Sequence, residues 1–175
     1  PAREPDLATL TRTFTLRTSE GFVENFGPDL IARVLAEAPG VRLRFVPKPD
    51  KDATPLREGT VDLETGVIEP TTGPELRARA LFRDQMVGVV RDGHPLAGAT
   101  VTRRRYLAAR HVAVSRGAVA QWPVDDALEA LGLGRDVVTV VGGFATAVGL
   151  ARASDLIATV PGRHTANLRD GMHSF

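Results

Sequence analysis

Apolar and polar positions along the chain mark out strands and helices in alternation. Phe14-Thr-Leu-Arg-Thr18 has the period of two of a half-buried strand, and Ser19-Glu-Gly21 follows it. Pro28 suits the first position of a helix whose face would be Leu30, Ile31, Val34, Leu35 and Ala38, stopped by Pro39-Gly40. Val41, Leu43 and Phe45 then share one face of a strand, with Arg42 and Arg44 on the other. A helical turn is expected from Pro55 to Glu58, ended by Gly59. A strand is expected over Val61–Thr65, reaching Gly66-Val67-Ile68. Glu69-Pro-Thr-Thr-Gly-Pro74 is the clearest break, dense in turn residues.

Beyond the break, Leu76 to Phe82 reads as a strand with alternating arginines, and Met86–Val90 as a buried one. His94-Pro-Leu-Ala97 reads as a turn. A helix is expected over Val101–Ala109 with Thr100 as its cap. His111–Val114 is a strand ending at Ser115-Arg-Gly117. Val124, Ala127, Leu128 and Leu131 line a helix ended by Gly132. A strand over Val137–Val141 opens into Gly142-Gly143, a helix covers Ala145–Ala153, and a strand over Leu156–Val160 closes at Pro161-Gly162. Such alternation predicts an α/β architecture with mainly parallel sheets and right-handed crossovers.

Composition narrows the function classes. The 175 residues carry 22 basic and 21 acidic side chains, for a net charge of +1, which removes the electrostatic reason to expect nucleic-acid binding by this chain. With no cysteine, a disulfide framework, a thiolate zinc site, an iron–sulfur cluster, a cysteine nucleophile and a thiol redox switch are all excluded. The start, Pro1-Ala-Arg-Glu-Pro-Asp6, has no apolar run of the signal-peptide kind, and no stretch approaches a membrane span, so the expected compartment is the cytoplasm. Only Lys48 and Lys51 are lysines. The arginine bias fits either coding bias or carboxylate recognition.

Tests for catalytic chemistry return little. No Gly-x-Ser-x-Gly elbow surrounds Ser115, and His94, His111, His164 and His173 show no zincin spacing, so no catalytic and no metal site is expected. Gly132-Leu-Gly134 imitates half a dinucleotide fingerprint, but it follows a helix and reads as a helix stop; no cofactor is expected. Asp125 and Asp126 suit the start of a helix. Arg103-Arg-Arg105 reads as a solvated face. What remains are the strand-to-helix junctions Thr18–Gly21, Ser115–Gly117 and Gly142–Phe144. Backbone N–H groups at such places bind anions, and ligands of open α/β sheets sit beyond strand carboxyl ends. Ordinary helix capping is the competing reading.

Six stretches in this order resemble the effector-binding (regulatory) domain of LysR-type transcriptional regulators. They are Leu30–Leu43, Gly59–Leu63 with Gly66, Leu81–Asp84, Val90–Ala97, Val124–Gly132 and Ala153–Pro161, and the resemblance spans residues 12–170. It implies two Rossmann-like lobes joined by two crossing strands, as in a small periplasmic binding protein, with crossings near Leu81–Met86 and Val160-Pro161. The implied division is residues 1–12 as the end of a linker, 13–83 as the first lobe, 84–160 as the second, and 161–175 as a shortened return to the first. A small effector would sit in the interlobe cleft, against Ser19, Glu20, Gly66 and Val67 of the first lobe and Ser115 and Phe144 of the second. Ser19 would donate to an effector carboxylate or hydroxyl, whereas Glu20 would disfavour an anion. The resemblance further implies dimers through the Pro28–Ala38 and Val124–Leu131 helices, tetramers of the full regulator, and DNA contact only through an N-terminal winged helix-turn-helix outside this chain. The alternatives are a free-standing solute-binding protein and, less favoured, a small α/β enzyme.

Overall fold

In the computed structural model, residues 6–50, 52–67, 75–115 and 123–175 are described. They form two compact units, Pro1–Phe82 and Arg83–Phe175. The 69–74 break, Ile68 and the Arg116-Gly117 part of the second junction lie outside the described residues.

The first unit is built on a parallel sheet of order β2-β1-β3, from β1 (Arg12–Thr18), β2 (Val41–Pro47) and the short β3 (Leu63–Glu64). Helix α1 (Glu20–Glu37) connects β1 to β2, and the turn α2 (Thr54–Arg57) precedes β3. Helix α1 begins eight residues before Pro28. Ser19 is its N-cap, and Pro28 lies inside it. The ring costs one i→i−4 hydrogen bond there, on an exposed position, and the preceding Gly27 tolerates the crowding a proline imposes on its neighbour. The expected apolar face is also only partly covered: Ala38 is buried, but Ile31 and Leu35 are 41% and 56% exposed. The helix is instead anchored at its N-terminal half by buried Phe22, whose ring lies 5.0 Å from Phe26, itself 5.2 Å from Phe82.

The segment expected as a strand over Leu76–Phe82 makes no strand pairing, and Leu81 is 66% exposed. Alternation alone does not separate a strand from an extended connection that lacks a partner edge.

The second unit carries a five-stranded sheet of order β6-β5-β7-β4-β8. Its strands are β4 (Met86–Val90), β5 (Arg110–Val114), β6 (Asp136–Val141), β7 (Leu156–Pro161) and β8 (His173–Ser174). β6, β5 and β7 run parallel, while β4 is antiparallel to both β7 and β8. The helices are α3 (Arg103–Leu107), α4 (Pro123–Glu129) and α5 (Phe144–Arg152). Thr102, two residues past the expected cap, caps α3 by accepting from Arg105 N–H at 3.3 Å. The core joins Val89, Val112, Val114, Val148 and Val160 to Ala147, Ala151 and Ala158, each at most 3% exposed. Gly132 ends α4 with φ +67°, a conformation that favours glycine.

Residues 161–175 group with the second compact unit. β8 takes the free edge of β4, with Gly88 N–H donating to Phe175 O at 2.8 Å and Phe175 N–H to Gly88 O at 3.0 Å. Gly88 has no side chain, so the Phe175 ring can lie on it; a Cβ there would stand 2.3 Å from the ring.

Candidate functional site

In the first unit the carboxyl ends of β1 and β3 meet side by side. Arg17 pairs with Glu64 in the ladder, and just past it Thr18 lies beside Thr65. The hydroxyls of Thr18, 2% exposed, and Thr65 hydrogen-bond to each other. Ser19 has extended backbone, and its Oγ accepts from Phe22 N–H at 3.3 Å, so it serves as a helix cap at the site expected for a ligand contact. Glu20 is exposed in the first turn of α1, where the helix dipole favours an acid. Val67 is 87% exposed beyond β3.

A charged floor lies beneath these groups. The buried Arg17 guanidinium donates to Glu64 Oε2 at 3.2 Å, to Asp50 Oδ1 and to the carbonyls of Asp50 and Asp52. Lys48 Nζ pairs with Glu64 Oε1 and arches over Gly66, where a Cβ would stand 2.6 Å from Nζ. Glu64 is thus shared by two cations. Asp52 is held below the usual carboxylate range by hydrogen bonds from the Thr54 hydroxyl and N–H. The arrangement offers hydroxyls, a helix N-terminus and an ammonium within one strand-end cluster.

Sequence reading named Ser19, Glu20, Gly66 and Val67 here, with Thr18 in the same junction, but not Thr65, Lys48 or Arg17 as members of the cluster. Lys48 carried the one available signal, as one of only two lysines, just past an arginine-rich strand. Arg17 gave none, since an arginine on the polar face of a strand ordinarily points to water.

In the second unit the parallel pair Val114 and Val141 sets Ser115 beside Gly142 at the carboxyl ends of β5 and β6. Ser115 N–H donates to Val141 O at 2.8 Å. Gly143 is the extended N-cap of α5, and Phe144 opens that helix with its ring packed against the core, half-buried. The unit also encloses a polar knot that no sequence signal marked. His111, fully buried, has Nε2 2.9 Å from Tyr106 O, and Arg135 grips both oxygens of Asp125 at 2.6 and 2.9 Å. Among the described residues no group of three His, Asp or Glu could hold a metal ion, and no helix is long and apolar enough to cross a membrane.

Comparison with known proteins agrees with this architecture. The family model of the LysR substrate binding domain matches residues 8–174. The transcriptional activator NagR of Ralstonia sp is 30% identical over 158 residues, covering 87% of this chain and 51% of its own. Nodulation protein D 2 of Bradyrhizobium diazoefficiens is 31% identical over 167 residues, covering 91% and 49%. The chain therefore spans about half the length of these curated relatives. Among solved structures, the regulatory domain of MexT, a transcriptional activator in Pseudomonas aeruginosa, superposes with a TM-score of 0.74 at 26% identity, covering 96% of this chain and 82% of that one. These matches lend no support to a free-standing solute-binding protein or a small α/β enzyme. A family match over nearly the whole chain, on two α/β units whose strands end in hydroxyl-bearing junctions, places this protein in the LysR substrate-binding domain family, the effector-binding region of LysR-type transcriptional regulators.

Proposed function

We propose that this chain senses a small-molecule effector for a bacterial regulator, with Ser19, Glu20, Gly66 and Val67 as effector contacts in the first unit and Ser115 and Phe144 in the second. The observation that carries the reading is the strand-end cluster of the first unit. There the Thr18 and Thr65 hydroxyls, the Ser19 cap and Lys48 come together at the carboxyl edge of a parallel sheet. A serine hydroxyl can accept from a helix N–H and donate to a ligand oxygen. Residues 13–83 and 84–160 act as the two regulatory lobes.

Signalling follows from a population shift: the effector favours one conformation, and a winged helix-turn-helix outside this chain changes its grip on DNA in consequence. The domain pairs with a second copy through α1, whose exposed Ile31 and Leu35 supply apolar area, and through α4. The full regulator forms tetramers and works in the cytoplasm. A thermal-shift screen of small metabolites identifies the effector, because a ligand that binds the folded state raises the midpoint. Calorimetry with Ser19→Ala then tests the site. At least a tenfold loss of affinity with an unchanged circular-dichroism spectrum is expected, and unchanged affinity refutes the assignment.

A further inference from the structure

The polar knot of the second unit contains two buried nitrogens with no hydrogen-bond partner among the described residues. They are His111 Nδ1, on β5, and Arg135 Nη1, just before β6. His111 is fully buried, and the Arg135 side chain is 3% exposed. The other nitrogens of both side chains are engaged. His111 Nε2 lies 2.9 Å from Tyr106 O, and Arg135 donates from Nε and Nη2 to the two oxygens of Asp125. A buried polar atom left unpaired is costly, and nearly all such atoms in folded proteins have a partner.

The two side chains converge on one residue, Tyr106. The His111 ring meets the Tyr106 ring edge-on, with centroids 4.5 Å apart. Arg135 comes to the same residue: burial opposes its charge, but Asp125 and Tyr106 outweigh that and hold its pKa above the ordinary value. The Tyr106 hydroxyl lies 2.8 Å from Thr159 Oγ1 on β7, which fixes the tyrosine between α3 and the sheet.

The chemistry of the two nitrogens restricts what can join them. A carbonyl only accepts, so the contact with Tyr106 O puts the proton of the neutral ring on Nε2 and leaves a lone pair on Nδ1. Nη1 offers N–H and has no lone pair. An anion would satisfy Nη1 but face the Nδ1 lone pair. A metal cation would suit Nδ1 but be repelled by the guanidinium. Only a neutral group that both accepts and donates serves the two at once, and water is the smallest.

We propose that one buried water molecule bridges Arg135 and His111, accepting from Nη1–H and donating to Nδ1. Internal waters typically make about two to four hydrogen bonds to otherwise unpaired buried groups. This one links β5 to the start of β6 and, through the Arg135–Asp125 pair, to α4. The site lies wholly within the second unit and is independent of the effector reading.

A high-resolution crystal structure of this chain is the first test. An isolated density peak is expected within about 2.7–3.2 Å of both nitrogens. A direct Arg135–His111 bond, density continuous with a protein side chain, a peak that reaches only one nitrogen, or no peak overturns the proposal. Long-range proton–nitrogen spectra of the histidine-labelled chain at neutral pH are the second. His111 should carry its proton on Nε2, and its Nδ1 resonance should be shifted upfield of an unbonded ring nitrogen. His94 supplies the internal reference, because its Nδ1 accepts from Leu96 N–H at 3.0 Å. A His111 proton on Nδ1, or an Nδ1 resonance at the unbonded position, overturns the proposal as well.

Discussion

Replacing His111 by glutamine should flatten the acid limb of this domain's stability. His111 has no exposed surface, and its Nε2 faces the Tyr106 carbonyl, which requires the proton on Nε2 in the neutral ring. Burial is the main influence and pushes its pKa below the ordinary 6.5. The Tyr106 carbonyl and the charges of Asp125 and Asp136 oppose that shift, while Arg135 reinforces it, and the net direction is down. A base with a depressed folded pKa stabilises the fold fully above its unfolded pKa. That contribution is lost as pH falls below it, because only the unfolded chain takes up the proton. With an unfolded histidine titrating near 6.5, stability falls by up to about 1.4 kcal/mol per pH unit below that value until the folded ring itself takes up the proton. Urea unfolding followed by circular dichroism at half-unit steps from pH 5 to 8 measures it. Every other ionisable group is common to both proteins, so the difference between wild type and His111→Gln isolates the one ring. Parallel stability–pH curves for the two would refute the buried, neutral assignment.

Other perturbations follow from the same packing. Asp125→Ala leaves the Arg135 guanidinium, with its side chain 3% exposed, without its partner carboxylate. A loss of about 3–5 kcal/mol is expected in urea unfolding, and a loss within 0.5 kcal/mol would contradict it. Gly88→Ala drives a methyl into the Phe175 ring. It should destabilise by about 1–3 kcal/mol in wild type, yet much less in a Phe175→Ala background; equal costs in both would rule out the contact. Ser19→Ala removes the α1 cap and should cost about 1 kcal/mol, read as a lower thermal midpoint. Replacing exposed Ile31 and Leu35 together with glutamate should shift sedimentation toward monomer while leaving the midpoint nearly unchanged, and an unaltered dimer would remove α1 from the interface.

Much of the fold was legible because local chemistry was unambiguous. The apolar strands Met86–Val90 and Leu156–Pro161 and the turns at Gly59 and Gly132 need only short-range information. The start of α1 was misplaced because proline is favoured at a first turn, while Ser19, three residues ahead of Phe22, offered a cap whose worth depends on Phe22 being buried. The Leu76–Phe82 segment shows the opposite error: its alternation suits a strand, but no edge is offered to it. For the candidate site, small and hydroxyl residues at strand ends marked Ser19 and Gly66. Thr65 and Lys48 join them only because β3 lies against β1 and Lys48 reaches Glu64.

By itself the sequence determined the α/β class, the strand-end junctions and the absence of thiol chemistry, since periodicity, turn residues and composition act locally along the chain. The tertiary structure decided the charge pairings and the sheet edges. Arg17, Arg135 and Arg169 are alike as letters in a sequence. One is neutralised by Glu64 and Asp50, one by Asp125, and one rests on neutral oxygens alone. Likewise the final residues reach β4 because Gly88 leaves room for Phe175 on an edge strand. The free energy of a charge or an open edge depends on what lies within a few ångströms of it, and the partners of Arg17 and of the β4 edge stand tens of residues away along the chain.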